Sequence, residues 1–275
     1  MIDTITTADY QSFRKFLEDA SGIVLGDNKQ YLVTSRLTKF ISDSEIDSFG
    51  TLMKRMKTDN KLRNRMMDAM TTNETSWFRD VYPFDILKEK LLPELVKTPS
   101  RTIRIWSAAC STGQEPYSLS MMVQEYLQSK PGNLSTDTVQ IIGTDISPSV
   151  LSIAKSGVYE GVAVSRGLPK ERKSRFFREV NDGWEVSADI KKRVNFRELN
   201  LMQKYTLLGR FDIIYCRNVL IYFSTELKRD ILSRMAQSLN PGGFLVLGGS
   251  ESITNYSDEF NLIRWRNGVI YQLKP

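Results

Sequence analysis

The spacing of apolar positions changes once along the chain. In the first 70 residues they recur three and four apart. Phe13, Phe16 and Leu17 mark one such run, and Val33, Leu37, Phe40 and Ile41 a second. Leu52, Met53 and Met56, then Leu62, Met66 and Met67, continue the pattern. That spacing predicts amphipathic helices packed as a small bundle over residues 1–72. Asp9 and Asp59 stand where N-caps are expected. The methionine stripes read as core, because a flexible thioether fills irregular gaps between helices.

After Pro99-Ser100 short β-rich runs alternate with helical ones. Strands are predicted at 103–106, 139–143, 194–199, 211–215 and 244–247, with helices at 115–127, 149–156 and 226–239. Pro241-Gly242-Gly243 reads as a turn before the strand at 244, and 262–273 as a hairpin about Asn267-Gly268. Such alternation predicts a mostly parallel sheet covered on both faces, closed by an antiparallel edge. Residues 73–99 read as a linker and junction helix, and 100–275 as the α/β domain. The alternation breaks at about 157–193, where a helical piece at 170–177 precedes extended runs around Asn181-Asp182-Gly183. This predicts a small inserted β-subdomain.

Composition adds exclusions. No apolar run reaches the roughly 20 residues that span a bilayer, and the start has no basic and apolar leader pattern, so a cytoplasmic protein is expected; a monomer is expected as well. The chain contains no histidine and two cysteines, Cys110 and Cys216. The commonest general base is therefore missing, and no metal site is expected. The cysteines read either as a redox pair or as two small buried residues. Net charge is +6. Residues 155–197 hold 11 basic against 6 acidic side chains, and 54–65 hold six basic against one acid. Both stretches could meet an acidic partner or simply face solvent.

In an open parallel sheet, ligands bind beyond the carboxyl ends of the strands. The first predicted strand is followed by a run of small residues, Ser107 to Gly113, and then Glu115. Small residues permit close approach of a ligand, and the following helix N-terminus offers free N–H groups. The run holds one glycine, so it is not a dinucleotide fingerprint. Glu115 also suits a first helical turn for electrostatic reasons alone. Asp145 ends the second strand, where it can accept hydrogen bonds from both hydroxyls of a ribose or cap the next helix. Arg217-Asn218 follows the fourth strand, where charge must face a cleft or solvent.

Four segments resemble the chemoreceptor glutamate methyltransferases, the CheR family. They are Thr71-Thr72-Asn73-Glu74-Thr75-Ser76-Trp77-Phe78-Arg79, Trp106 to Ser118, Gly143-Thr144-Asp145-Ile146-Ser147, and Cys216-Arg217-Asn218-Val219-Leu220-Ile221-Tyr222-Phe223. The likeness runs nearly end to end. It implies a seven-stranded, Rossmann-like class I methyltransferase domain with an N-terminal all-helical domain and a small antiparallel β-subdomain. The implied cofactor is S-adenosyl-L-methionine, leaving as S-adenosyl-L-homocysteine. The implied cofactor-binding residues are Asn73, Thr75, Arg79, Ala109, Glu115, Asp145, Asn200, Leu201, Arg217 and Asn218. Tyr222, with Arg79 or Arg217, is implied to lie close to the reacting methyl. From the residues alone, 73–79 reads only as a polar linker. The implied partner is the helical cytoplasmic domain of chemoreceptors, with regulators possible at the N-terminal domain. Arg36, Lys39, Lys54, Arg55, Lys57, Lys61, Arg63 and Arg65 are candidates to meet that acidic bundle.

One departure matters. Family members that dock on a receptor's C-terminal pentapeptide carry a longer, glycine-containing loop in the β-subdomain. Here the hairpin closes at Asn181-Asp182-Gly183, so independence from such a tether is expected. Three rival readings stand beside this one. A nucleic-acid methyltransferase fits the basic charge, but Arg217-Asn218-Val219-Leu220 replaces the Asn/Asp-Pro-Pro-aromatic pattern of amino-group methylases of DNA. A nicotinamide oxidoreductase lacks its glycine fingerprint. An inactive receptor-binding adaptor would not need Asn73, Asp145, Arg217 and Tyr222 together.

Overall fold

The computed structural model describes residues 5–97, 102–130, 138–181, 183–266 and 268–275. Helices Thr7–Ser21, Gln30–Asp43, Phe49–Arg55 and Asn60–Met70 form the N-terminal bundle. Its interior is mostly the face that the helical spacing marked: Phe13, Leu17, Val33, Leu37, Leu52, Met56 and Met66 are buried, joined by Tyr10, while Phe16 and Met53 are half-buried against it. The methionine stripes are core. Asp59 caps the fourth helix, accepting from Leu62 N at 2.9 Å. Asp9 does not cap the first. Thr6 is the N-cap, and Asp9 sits three residues on, reaching back to the Thr6 amide at 3.0 Å while its own amide donates to the Thr6 hydroxyl at 3.1 Å. This reciprocal box satisfies two orphan donors where a lone Asp cap would satisfy one.

The chain then passes through residues 71–81 into a helical run, Tyr82–Ile86, Leu87–Leu91 and Leu92–Leu95, whose middle turn has π geometry. The α/β domain follows. Its strands are β1 (Ile103–Ala108), β2 (Val139–Asp145), β3 (Val158–Tyr159), β4 (Phe177–Val180), β5 (Gly183–Val186), β6 (Val194–Glu198), β7 (Phe211–Cys216), β8 (Leu239–Leu247), β9 (Phe260–Trp265) and β10 (Gly268–Leu273).

Seven strands form one sheet in the order β6-β2-β1-β7-β8-β10-β9. The first five in that order run parallel; β10 runs antiparallel to β8, and β9, antiparallel to β10, returns to the direction of the first five. One face packs on helix Gln114–Ser129 and the 82–95 run, the other on helix Thr225–Gln237, giving two apolar layers. The central strands β1 and β7 are almost wholly buried, as a parallel sheet covered on both sides requires. Pro241-Gly242-Gly243 is not a turn ahead of a strand. It lies inside β8, where pairing jumps from Phe211–Leu239 to Ile213–Phe244. The extra residues are absorbed as a bulge, with Gly242 left-handed at φ 71°.

The inserted subdomain is a three-stranded antiparallel sheet, β3-β5-β4. The predicted hairpin is its β4–β5 pair, with Val180 facing Gly183. Asp182 of the predicted turn lies outside the described residues, as do Asn267 and Pro99-Ser100. The third strand, β3, is only two residues long, too short to leave a periodic signal.

Candidate functional site

The order of the parallel strands reverses between β1 and β7. Chain order runs outward from β1 through β2 to β6 on one side, and through β7 to β8 on the other. The loops after neighbouring strands therefore part at their carboxyl ends and leave a crevice. A cavity of about 340 Å³ lies there.

All eleven residues singled out from the sequence line this one cavity: Asn73, Thr75, Arg79, Ala109, Glu115, Asp145, Asn200, Leu201, Arg217, Asn218 and Tyr222. Sequence positions as far apart as 73 and 222 meet because β1, β2 and β7 are adjacent. The physical support for each differs.

The loop after β1 is made from backbone. Ala109 and Ser111 adopt left-handed φ values of 56° and 50°, and Gly113 follows at 93°. Such conformations cost about 1–3 kcal/mol for a non-glycine residue and persist only where surroundings enforce them. Cys110 N donates to Thr144 O at 2.9 Å, and Ser111 Oγ donates to Asn73 O at 2.9 Å. Gly113 is required by space as well as by φ, since a Cβ there would stand 2.9 Å from the Ala154 Cβ.

Asp145 closes β2. Its Oδ2 accepts from Ser111 N at 2.8 Å and its Oδ1 from Ser147 N at 3.0 Å. The next helix, Pro148–Ser156, is capped by Ser147, so capping is not the function of Asp145. Each carboxylate oxygen keeps acceptor capacity beyond its one bond. Burial pushes the Asp145 pKa above the ordinary carboxylate value, against the backbone amides of Ser147, Ser111 and Ile146 that pull it down.

Glu115 and Arg217 join the tips of β1 and β7. Glu115 Oε1 accepts from Ser107 Oγ at 2.7 Å, and Oε2 from Arg217 Nη1 at 2.7 Å. Arg217 Nη2 donates to Asp80 Oδ2 at 2.8 Å and to Arg79 O at 2.7 Å. Burial disfavours the Arg217 charge, but Glu115 and Asp80 outweigh it and the pKa is held up. The Nε of Arg217 is buried and has no hydrogen-bond partner among the described residues.

The 73–81 segment is no loose linker. Trp77 is fully buried, donates from Nε1 to Ala163 O at 2.8 Å, and meets Tyr159 and Phe177 edge to face. Phe78 N donates to Ser118 Oγ at 3.2 Å. Phe78, Asp80 and Val81 all have positive φ. The segment is thus fixed to the small sheet on one side and to helix Gln114–Ser129 on the other, and Arg79 projects from a rigid base. Arg79 itself is half-buried; its Nη1 reaches Glu74 O at 3.2 Å.

Asn200 differs from a free binding group. Its Nδ2 donates to Ala20 O at 2.8 Å and its Oδ1 accepts from Met202 N, so its side chain ties the seven-stranded sheet to the first helix. Sequence reading missed this wall. Ile23, Val24, Leu25, Gly26, Lys29 and Leu32 line the cavity from the helical bundle, and Val24 N donates to Tyr222 O at 2.8 Å. The available signal was Val24-Leu25 held between Gly22 and Gly26, off the helical spacing. Asp80 and Glu251 were also missed. Arg36, counted among the receptor-facing cations, instead donates to Met70 O at 2.7 Å and lines the cavity.

The donor set suits one kind of small molecule. Two fixed carboxylates with spare acceptor capacity fit hydroxyl and ammonium groups, and the unpartnered Arg217 Nε offers a buried donor. The described residues contain no cluster of His, Cys, Asp and Glu able to hold a metal. The two thiols are fully buried, and burial pushes both pKa values well up, away from the reactive thiolate.

Comparison with known families agrees with this geometry. The family model "CheR methyltransferase, all-alpha domain" matches residues 8–71, and "CheR methyltransferase, SAM binding domain" matches residues 73–269. The chain belongs to the CheR methyltransferase family. Among curated relatives, a "Chemotaxis protein methyltransferase" of Vibrio anguillarum is 52% identical over 274 residues, covering 98% of each chain. "Chemotaxis protein methyltransferase 1" of Pseudomonas aeruginosa is 52% identical, covering 97% of this chain and 98% of that one. A relative of the same description in Listeria innocua is 34% identical over 91% of this chain and 92% of its own. This CheR chain is therefore an S-adenosylmethionine-dependent methyltransferase. No helix among the described residues is long and apolar enough to cross a membrane.

Proposed function

We propose that this CheR chain methylates glutamate side chains on the helical cytoplasmic domain of chemoreceptors, and that it does so without a C-terminal pentapeptide tether. The names of its relatives support a chemotaxis substrate. Membership of this family favours that reading over the nucleic-acid and inactive-adaptor alternatives. The observation that carries the chemistry is the contrast between two arginines. Arg217 is enclosed by Glu115 and Asp80 and is electrically neutralised. Arg79, in the same cavity, has no carboxylate within ion-pair distance among the described residues, Glu74 acting on it only at longer range, and keeps donors for an incoming acid.

Asp145 would take the ribose hydroxyls of the cofactor and Glu115 its ammonium group, with Asn73, Thr75, Ala109, Asn200, Leu201 and Asn218 completing the walls. S-adenosylmethionine supplies a methyl group made electrophilic by its sulfonium. A glutamate side chain has an ordinary pKa of about 4.3 and arrives ionised at neutral pH. No side chain needs to remove a proton, which accords with a chain that has no histidine. The enzyme's work is then positioning, able to lower the barrier by roughly 7–11 kcal/mol. Arg79 orients the carboxylate through a single contact, since a bidentate clamp would damp the nucleophile. Tyr222 lines the path of the methyl group. Arg217 acts through others, by holding Glu115 and the Arg79 backbone.

The surface offers a docking face. Lys54, Arg55, Lys57, Lys61 and Arg65 are exposed on the helical bundle and suit an acidic receptor helix. The basic stretch of the subdomain is partly engaged within the molecule, by Arg172 with Glu125, and by Arg178 and Lys191 with Glu185. Independence from a tether rests on the short β4–β5 connection, two residues between Val180 and Gly183.

The test is to supply methyl-labelled S-adenosylmethionine with receptor-containing membranes. Base-labile label on receptor glutamates, unchanged when the receptor's last five residues are deleted, supports the proposal. Label on nucleic acid, or no label, overturns it.

A further inference from the structure

The mechanism above gives no role to the carboxylate of Glu251, which holds the segment after β7. Glu251 lies in the loop after β8, and its carboxylate accepts four backbone N–H groups. Oε1 takes Val219 N at 3.0 Å and Leu220 N at 2.9 Å. Oε2 takes Asn218 N at 2.6 Å and Gly248 N at 2.9 Å. Three of these donors are successive residues of the segment that follows β7. Asn218 turns left-handed at φ 56°, which lets neighbouring amides converge on one point. A backbone concavity of this kind ordinarily receives an external anion. Here the chain fills it with its own carboxylate.

The fit is tight. Gly248, at the tip of β8, has no room for a side chain: a Cβ would stand 2.8 Å from Glu251 Oε2 and 2.8 Å from Asn218 Nδ2. Glu251 N in turn donates to Gly248 O at 2.9 Å, so the loop after β8 is folded to deliver the carboxylate. The segment it grips begins at Arg217 and ends in the short turn Leu220–Tyr222. Tyr222 N donates to Val219 O at 3.2 Å, which ties the tyrosine directly to a residue that Glu251 holds.

We propose that Glu251 is a positioning residue for methyl transfer: its carboxylate sets the 218–220 backbone and, through it, the place of Tyr222 in the cavity. This rests on the reading that Tyr222 lines the methyl path. The chemistry demands a carboxylate. Each oxygen serves two donors, so a glutamine there, whichever way its amide turns, sets an NH₂ donor against two N–H donors.

The experiment is a double-mutant cycle on the full chain with receptor as substrate, using Glu251→Gln and Tyr222→Phe. Glu251→Gln is expected to fold, as judged by calorimetry, and to lose about 100-fold in kcat, as for a small misplacement of a reacting group, with receptor KM little changed. The double variant is expected to be no slower than the worse single one, because both changes act on one placement. Glu251→Asp keeps the charge on a shorter arm and is expected to fall between wild type and Gln; it takes the place of Gln in the cycle if the Gln chain does not fold. Losses that multiply in the double variant overturn the proposal. Slow Tyr222→Phe beside a Glu251→Gln chain at full rate overturns the proposal alone. Full kcat in Tyr222→Phe removes the reading beneath it and the proposal together.

Discussion

Arg217 Nη1 meets Glu115 Oε2 at 2.7 Å, with 2% and 13% of the two side chains exposed. The pair bridges the tips of β1 and β7, and it places a neutralised cation directly beside the cavity. Removing one member of a buried pair leaves the other uncompensated, at a cost of about 3–5 kcal/mol. Glu115→Ala is expected toward the low end of that range, because Asp80 still faces Arg217. Glu115→Gln keeps an acceptor and is expected to lose less. Urea denaturation of the two variants checks this order, and an equal loss in both would show that the charge contributes nothing.

Asp145 carries a prediction in pH. Its folded pKa is raised by burial, so the native state favours the protonated carboxyl. Its contribution to stability is therefore present at low pH and is lost as pH rises through the raised value. Cofactor binding has the opposite sign, since the ribose hydroxyls require the ionised form. Affinity for S-adenosylhomocysteine is expected to weaken on acidification while still above the usual aspartate pKa of about 3.9. Calorimetry across a pH series would show this, and Asp145→Asn should flatten the profile.

Asp145→Ala tests the pocket itself. Hydrogen bonds to a charged group contribute about 1.5–3 kcal/mol each, and two ribose hydroxyls are at stake, so the affinity for S-adenosylhomocysteine should fall by roughly two to four orders of magnitude. The same variant strands the amides of Ser111 and Ser147, so its thermal midpoint should drop as well. Unchanged affinity would place the cofactor elsewhere.

Arg79 is expected to act on the acceptor. Arg79→Ala should lower kcat with receptor by roughly 100-fold if its role is to hold the incoming carboxylate in line. Arg79→Lys, which retains the charge without the fork, should recover part of the rate. Steady-state kinetics with saturating S-adenosylmethionine would separate this from a loss of cofactor binding.

Gly167 supports the base from which Arg79 projects. It has φ 83°, and a Cβ would stand 2.2 Å from the carbonyl oxygen of Trp77. Because the obstacle is backbone, Gly167→Ala must displace the 77–79 segment. A loss of more than about 1 kcal/mol in stability is expected from the φ requirement alone, together with a lower kcat. A variant with wild-type stability and rate would show the segment to be compliant.

Legibility from sequence varied with the length over which a residue's role is set. The bundle core and the central strands could be read because burial repeats every few positions, and β7 is buried along its whole length and β1 at all but Arg104. The bulge in β8 was misread as a turn because Pro-Gly-Gly has the same local signature in both. Asp9 was misread as a cap because the reciprocal box depends on which of two residues leads. Trp77 looked like part of a linker because its partners, Tyr159, Ala163 and Phe177, are more than 80 positions away. Glu251 carried no local signal, since what marks it is three amides delivered by the remote segment after β7, beside one from its own loop.

The amino-acid sequence determined the elements, their alternation, the family, and which residue types stand at the strand ends, because each of these is written in neighbouring positions. The tertiary structure alone decided that residues from 73 to 222 share one cavity with a wall from the helical bundle. It also decided that Arg217 is neutralised while Arg79 is not, and that a carboxylate from beyond β8 holds the segment after β7. Those are matters of distance and burial between segments remote in the chain, and electrostatic and hydrogen-bond energies depend on them steeply.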